Sequence, residues 1–312
     1  MGQITRTAVI GSGIMGHGIA LVCARSGVPV TLFDISAEAL ENAAKKLRQA
    51  MRQLVDNDLA ASGDLESVLK RIAYSTNMAE AVKGADIVFE AVPEKLPLKR
   101  SVYADLEAAC APQTIFASNT SGIPINTLAA LTKRPERFVG THFFMPAHLI
   151  PLVEVIQGDA TREDGIETVM AFLAGAGKIP VRVRRDIPGF IANRLQHALA
   201  REAMSLVQKG IASAEDVDAV VKTSLAVRML FTGPVEQRDF NGLDTHMSIA
   251  EYLYKDLEDT KTPLAILADK VAAGDLGIKS GKGFYDWRDK DIAAVNAAKN
   301  QHLIDVLKLT AS

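Results

Sequence analysis

The sequence is poor in cysteine. Cys23 and Cys110 are its only two, far apart and without CxxC or metal-ligand spacing, which excludes a disulfide scaffold and fits a reducing cytoplasm. It also lacks any apolar run approaching the ~18 residues that a membrane span requires. Met1 leads almost directly into the first expected strand, so no signal peptide is expected. Met1-Gly2 has the start of a myristoylation signal, but Arg6 stands where that signal wants Ser or Thr. Charge of either sign is nearly absent in net terms: the formal value is −2. Such a chain offers no basic field for nucleic acid and no polybasic patch for a membrane, leaving small molecules and further copies of itself as expected partners. Low-complexity tracts and repeats are missing too, and 312 residues suffice for about two domains.

What the sequence does have begins at Thr7. TAVIGSGIMGHGIALVCARSGVPVTLFD reads as a strand, a glycine turn, a helix and a second strand ending on Asp34. Gly11, Gly13 and Gly16 give the spacing GxGxxG. Gly11 suits the tight turn, Gly13 lets a pyrophosphate approach the backbone, and Gly16 permits close helix-to-strand packing. The unpaired N–H groups and positive dipole end of the helix favour an anion at the turn. Glycines that merely shape a bend are the alternative, but the apolar flanking strands supply the context that a lone GxGxxG lacks. Asp34 can accept hydrogen bonds from ribose hydroxyls and repels a 2′-phosphate, and no Arg or Lys follows within residues 35–39. NAD is therefore the expected cofactor.

Helical patterns follow over 37–55 and 64–71, the second folding back on the first. Strand-like runs then recur at 72–75, 87–92, 114–118, 138–144, 152–156 and 181–183, the pattern of a doubly wound α/β sheet. From Pro188 the strands stop. The turn cluster Asp186-Ile187-Pro188-Gly189 opens an expected helix over 190–209, closed by Gly210, and Ser213 with Asp216 resembles a capping box for the next. Residues 1–187 are thus expected to form a Rossmann-type domain and residues 188–312 an all-helical one. Ile249, Leu253, Leu257, Leu264, Leu267 and Val271 supply apolar surface there, either plain core or a helix-helix interface.

An enzyme that oxidises an alcohol by hydride transfer needs a group to take the hydroxyl proton, and a histidine suits that task at neutral pH. Of six histidines, His142 stands near the end of the strand FVGTHFF, close to the carboxyl edge where open α/β sheets bind ligands. Glu154 lies on the following strand, IPLVEVI, so a contact across neighbouring strands is plausible. The carboxylate would fix the ring's tautomer and stabilise the imidazolium as a proton arrives. A core histidine beside a strand glutamate is the bland alternative. His148 lies six positions beyond His142, a spacing that fits no common metal motif, and no metal is expected.

GSGIMG, SNTSGIPI at 118–125, GTHFFMPAHLIPLVEV, PGFIANRL and GIKSGKGFYDW together, in that order and over nearly the full chain, resemble the 3-hydroxyacyl-CoA dehydrogenase family. The resemblance implies an N-terminal NAD domain, a helical domain through which two copies dimerise, and a substrate cleft between the two. Motif by motif, it places the catalytic histidine on His142 and its paired glutamate on Glu154. Ser121 and Asn193 match the polar residues that hold the substrate oxygen and the nicotinamide region. NAD contacts fall on Gly11, Ser12, Gly13, Ile14, Met15, Gly16, Asp34, Glu94, Lys99, Ser121 and Lys279. By themselves Ser121 and Asn193 read as a turn residue and a first-turn helix residue.

Three departures bear on substrate and cofactor. Acyl-CoA members carry basic residues in the helical hairpin that grip CoA phosphates, whereas residues 55–64 read VDNDLAASGD. In place of the PMGP turn stands Phe231-Thr232-Gly233-Pro234 after LAVRML, a form similar to the free-acid branch of the family, such as gulonate dehydrogenases. Arg228 could then pair with a substrate carboxylate, or be a solvated helix-end arginine. Met145 stands where the family has Asn. A free 3-hydroxy acid is accordingly the expected substrate, with a 3-hydroxyacyl-CoA thioester as the alternative. A non-catalytic, crystallin-like NAD-binding role is a second alternative, opposed by the intact His142, Glu154, Ser121 and Asn193.

Overall fold

The computed structural model describes residues 4–311; Met1 and Gly2 lie outside the described residues. The chain divides into two compact units, Met1–Arg194 and Leu195–Ser312.

In the first unit, strands β1 (Thr7–Ile10), β2 (Val30–Phe33), β3 (Ile72–Ser75), β4 (Ile87–Glu90), β5 (Ile115–Ser118), β6 (Phe138–Phe143), β7 (Leu152–Gln157) and β8 (Ile179–Val183) form one sheet. Their order is β3-β2-β1-β4-β5-β6-β7-β8. All neighbours run parallel except β6 and β7. The β1, β2, β4 and β5 strands are buried along their whole length, which is why they read as continuous apolar runs and not as alternation. The antiparallel step has a simple cause. Only residues 144–151 join β6 to β7, fewer than the dozen or more that a parallel crossover requires.

Helices α1 (Ile14–Arg25), α2 (Ala37–Asp56), α3 (Asp64–Leu69), α4 (Met78–Ala81), α5 (Leu96–Ala109), α6 (Ile125–Ala129) and α7 (Glu163–Gly175) accompany the sheet. Helix α1 is apolar all round and buries Ile19 through Ala24 without interruption. By contrast, α2 buries the single stripe Leu40, Ala43, Leu47, Ala50, Met51 and Leu54, as the three-and-four spacing of a surface helix dictates. Ser36 starts it by accepting a hydrogen bond from the Ala39 N–H at 3.2 Å.

Several element ends differ from the sequence expectation by one or two residues, and two of them bear on the site. The 87–92 strand stops at Glu90, because the Val92 N–H turns back to the Glu90 carboxylate at 2.9 Å. The helix expected from Phe190 begins at Ala192: Gly189 and Phe190 both take positive φ, 76° and 49°, and extend the turn by two residues. Residues 188–194 consequently group with the first unit, where a carboxylate described below receives the opening N–H groups of that helix.

Among the described residues the second unit has no strand, only the isolated β-bridges Gly277–Lys282 and Lys282–Asp286 beside its helices: α8 (Ala192–Gln208, its first residues in the first unit), α9 (Ala214–Val220), a π-helical segment Val221–Leu225, α10 (Ala226–Met229), α11 (Glu236–Asn241), α12 (Leu243–Leu253), α13 (Ala265–Ala272) and α14 (Ile292–Ala311). Ser213 caps α9 by accepting from the Asp216 N–H, and its hydroxyl donates to the Asp216 carboxylate. Among the described residues of this unit only Ser205, Val217, Leu264 and Ile304 are buried. Leu253, Leu257, Leu267 and Val271, offered by the sequence as core or interface, are exposed.

Among the described glycines Gly16 has the least room, where α1 passes the turn after β1. A Cβ added at Gly16 would lie 1.7 Å from the Gly11 carbonyl oxygen, whereas one added at Gly13 would meet nothing within 4 Å. Gly16→Ala should therefore cost at least ~1–3 kcal/mol of stability, while Gly13→Ala should change it by no more than about 0.5 kcal/mol. Urea unfolding of the two variants checks the contrast.

Candidate active site

In an open α/β sheet, ligands bind beyond the carboxyl ends of the strands where the strand order reverses, here between β1 and β4. A groove of about 880 Å³ lies there, with Gly11, Gly13, Ile14, Met15, Asp34, Glu94, Asn119, Ser121 and His142 in its walls. Gly11 makes the turn off β1 with φ +97°, and a Cβ at that position would press to 2.8 Å from the Ala91 carbonyl oxygen on the neighbouring chain segment. Gly13 is the N-cap of α1 and no side chain caps that end. Its first N–H groups are thus available to an anion, and the bare Cα of Gly13 leaves room for it.

Asp34 closes the far side. Its Oδ2 accepts from the Ser12 N–H at 2.9 Å and the Ser12 hydroxyl at 2.8 Å, and its Oδ1 from the Ser36 N–H at 3.1 Å. Ser12 is itself buried and outside the groove wall, so it serves by orienting the carboxylate. The wall contains Asp34, Glu94 and Asp105 but neither Lys nor Arg. A 2′-phosphate would meet carboxylate there and no counter-charge. The loop, the helix end and the acid fit an NAD dinucleotide.

At the other end of the groove, His142 on β6 and Glu154 on β7 face each other in register across the antiparallel pair. Nδ1 of His142 lies 2.8 Å from Oε2 of Glu154. The remaining glutamate oxygen, Oε1, accepts from the N–H groups of Ile191 and Ala192 at 2.8 and 2.9 Å. Glu154 therefore caps α8 from a distance in sequence, a role that no local capping pattern discloses. Burial penalises its charge, but the bonds from His142, Ala192 and Ile191 together hold its pKa below the usual carboxylate value. The sign follows directly. A depressed carboxylate adds stability above its unfolded pKa of about 4.3, and that stability fades as pH falls through the lower folded value. Glu154 is thus an ionised acceptor throughout the neutral range, which sets His142 Nδ1 as donor and leaves Nε2 free for other work. Phe144 and Phe190, with ring centroids 4.4 and 5.7 Å away, hold the imidazole in place.

Ser121 sits on the turn after β5. Its N–H donates to Glu94 Oε1 at 2.6 Å, and its carbonyl accepts from the Asn193 side-chain amide at 3.0 Å. The fold thus brings Ser121, Asn193 and Glu94 together. Burial disfavours the Glu94 charge, yet Lys99, the Ser121 N–H and the Thr120 hydroxyl pull its pKa below the ordinary value. Lys99, matched by resemblance to a cofactor contact, is not in the groove wall: it is 1 % exposed and lies beneath, 3.3 Å from Glu94 and 2.8 Å from Glu90. A buried ammonium takes the carboxylates its own fold offers, so Lys99 reaches the groove through Glu94. Gly16 is likewise a packing position, not a wall position.

Two residues went unnoticed in the sequence. Asn119 lines the groove, and its Oδ1 accepts from the Phe143 N–H at 2.9 Å, tying the β5 turn to the residue after His142. Glu90, fully buried at the end of β4, is the other. A glutamate closing the apolar strand IVFE, nine residues before a lysine, was the available signal. Lys279 and Arg228 belong to the second unit and are exposed there; the Arg228 guanidinium contacts Ser224 Oγ at 3.3 Å. Among the described residues no group of three or more His, Cys, Asp or Glu is arranged to hold a metal. His148 is partly buried with its Nε2 unpartnered, and burial pushes its pKa down to about 4.

The family model described as "3-hydroxyacyl-CoA dehydrogenase, NAD binding domain" matches residues 6–187, and the "3-hydroxyacyl-CoA dehydrogenase, C-terminal domain" model matches residues 189–287. A probable 3-hydroxybutyryl-CoA dehydrogenase of Bacillus subtilis is 40% identical over 289 residues, 92% of this chain and 99% of its own. A 5-formyl-3-hydroxy-2-methylpyridine 4-carboxylate 5-dehydrogenase of Mesorhizobium japonicum is 35% identical over 309 residues, 98% of each chain. A solved 5-dehydrogenase of that same pyridine acid, described as an NAD+-dependent dismutase, superposes with a TM-score of 0.93 at 34% identity and covers 99% of both chains. The (S)-3-hydroxybutyryl-CoA dehydrogenase of Ralstonia eutropha gives 0.77 at 36% identity, over 91% of this chain and 99% of its own. The chain belongs to the 3-hydroxyacyl-CoA dehydrogenase family of NAD-dependent oxidoreductases.

Proposed function

We propose that this protein oxidises an H–C–OH group of a small free carboxylic acid with NAD, using His142 as the base and Glu154 as its orienter. The observation that carries the reading is the 2.8 Å His142–Glu154 pair in the same groove wall region as the glycine turn and Asp34. Gly11 to Gly16 and Asp34 would hold the dinucleotide. NAD, when bound, takes up the hydride. His142 receives the hydroxyl proton on Nε2 while its Nδ1–H keeps donating to Glu154, whose negative charge stabilises the imidazolium so formed. Ser121 and Asn193, joined to each other, would hydrogen-bond the substrate oxygen, at roughly 2–4 kcal/mol each if they act as oxyanion donors do.

Two features support a free acid over a thioester. The α2–α3 connection is acidic where a CoA phosphate would need cations. The pyridine-carboxylate dehydrogenase structure also matches 99% of the chain, whereas the hydroxybutyryl-CoA enzyme matches 91%. The 40% identity to the Bacillus protein favours the thioester reading, and direct assay separates the two. The helical unit, with four buried described residues and with Phe231, Val235, Phe240, Leu243, Met247 and Tyr254 exposed, is proposed to gain its missing core from a second copy of the chain. Two unpaired cysteines suit a reducing cytoplasm.

His142→Gln should lower kcat by about 100- to 10,000-fold while NAD affinity, measured by calorimetry, stays near that of the parent; retained turnover removes the proposed base. In a panel of acetoacetyl-CoA, free 3-hydroxy acids and 5-formyl-3-hydroxy-2-methylpyridine 4-carboxylate, the free acids should be turned over efficiently and Arg228→Glu should raise their KM. Turnover of the thioester alone would reverse the substrate assignment. Light scattering coupled to gel filtration should give twice the chain mass, and a monomer would refute the proposed pairing.

A further inference from the structure

Glu90 is the most heavily bonded side chain in the molecule's interior. Its Oε1 accepts from the Val92 N–H at 2.9 Å and Lys99 Nζ at 2.8 Å. Its Oε2 accepts from Tyr103 OH at 2.7 Å, Ser118 Oγ at 2.7 Å and Lys99 Nζ at 2.9 Å. A carboxylate offers about four lone-pair directions, so this one is saturated. Neither Glu90 nor Lys99 is itself part of the groove wall.

Stability alone gives little reason for such a hub. A buried ion pair seldom outdoes well-packed apolar side chains of the same volume, so its retention points to specificity of position. Its arms show which position. Ser118 Oγ, while donating to Glu90, accepts from the Thr120 N–H at 3.3 Å. The Asn119 N–H donates to the Glu90 carbonyl at 2.8 Å. Lys99 gives its remaining contact to Glu94 Oε2 at 3.3 Å, and Glu94 Oε1 receives Thr120 Oγ1 at 2.8 Å and the Ser121 N–H at 2.6 Å. The turn 119–121 is therefore gripped from below through Ser118 and from the groove side through Lys99 and Glu94. It carries Ser121, bonded to Asn193, and Asn119, bonded to the residue after His142.

We propose that Glu90 is a positioning residue of the dehydrogenase: through Ser118, Lys99 and Glu94 it fixes the turn that presents Ser121 and Asn119 to the cofactor groove. The inference rests on the dehydrogenase reading above.

The double variant Glu90→Gln/Lys99→Met replaces the buried pair with neutral side chains of similar volume, so the fold should survive. Four readouts should move. Ser121 amide exchange should accelerate, NAD affinity by calorimetry should fall about 10-fold, and kcat should fall up to about 100-fold, the size of effect expected for a displaced positioning group. The Glu94 carboxylate should also titrate at higher pH in an NMR titration, because it loses the ammonium that favours its ionised form. Parental exchange, NAD affinity, kcat and Glu94 titration in a folded double variant would overturn the proposal. Should that variant not fold, Ser118→Ala cuts the direct bond between Glu90 and the turn and retains both charges; the same readouts decide, with parental values overturning it. Amide exchange needs neither cofactor nor substrate. A parent protein that turns over nothing in the panel therefore defeats the dehydrogenase reading without touching the exchange result, and an active parent with unaltered variants defeats this inference alone.

Discussion

The contact on which the site depends is the cross-strand pair of His142 and Glu154. It exists because an eight-residue connection, too short for a crossover, forces β7 to return antiparallel and sets the two residues directly opposite one another. The glutamate then works in two directions. One oxygen takes the imidazole and the other takes the opening N–H groups of α8. Loss of its charge would disturb both the tautomer of the histidine and the entry into the helix that begins with Ala192 and Asn193.

The groove is built from carboxylates more than from cations. Asp34, Glu94 and Asp105 line it, and in the proposed reading the attraction for a dinucleotide would come from backbone N–H groups at the start of α1 instead of from basic side chains. This division lets the site hold a pyrophosphate while disfavouring an additional phosphate on the ribose. Beneath the wall, a second set of charges, Glu90 and Lys99, is sealed from solvent and connected to the wall through Val92, Glu94 and the β5 turn.

Much of the site was legible in the sequence because local rules govern it. The glycine spacing, the apolar strands and the terminal Asp34 follow from a strand-turn-helix-strand unit whose parts are contiguous. His142 and Glu154 could be paired because adjacent strands with a short link have few alternatives. Glu90 and Asn119 were missed because their partners lie 9 to 28 positions away, on helix α5 and strands β5 and β6. Lys99 could be matched by motif to the cofactor, but only its burial revealed that it acts from behind Glu94. The start of α8 was placed two residues early because Phe190 adopts positive φ, a conformation unusual for an aromatic residue and invisible to periodicity.

The sequence by itself determined the order of elements, the dinucleotide turn, the preference for a ribose with free hydroxyls and the family. Each of these is written in residues close together or in a collinear set of motifs. Tertiary structure alone decided which oxygen of Glu154 serves the histidine, how Lys99 divides its contacts between two carboxylates, and that the turn bearing Ser121 is held from two sides. Those outcomes depend on register across strands and on burial, which convert distant polar residues into obligatory partners because water is not there to replace them.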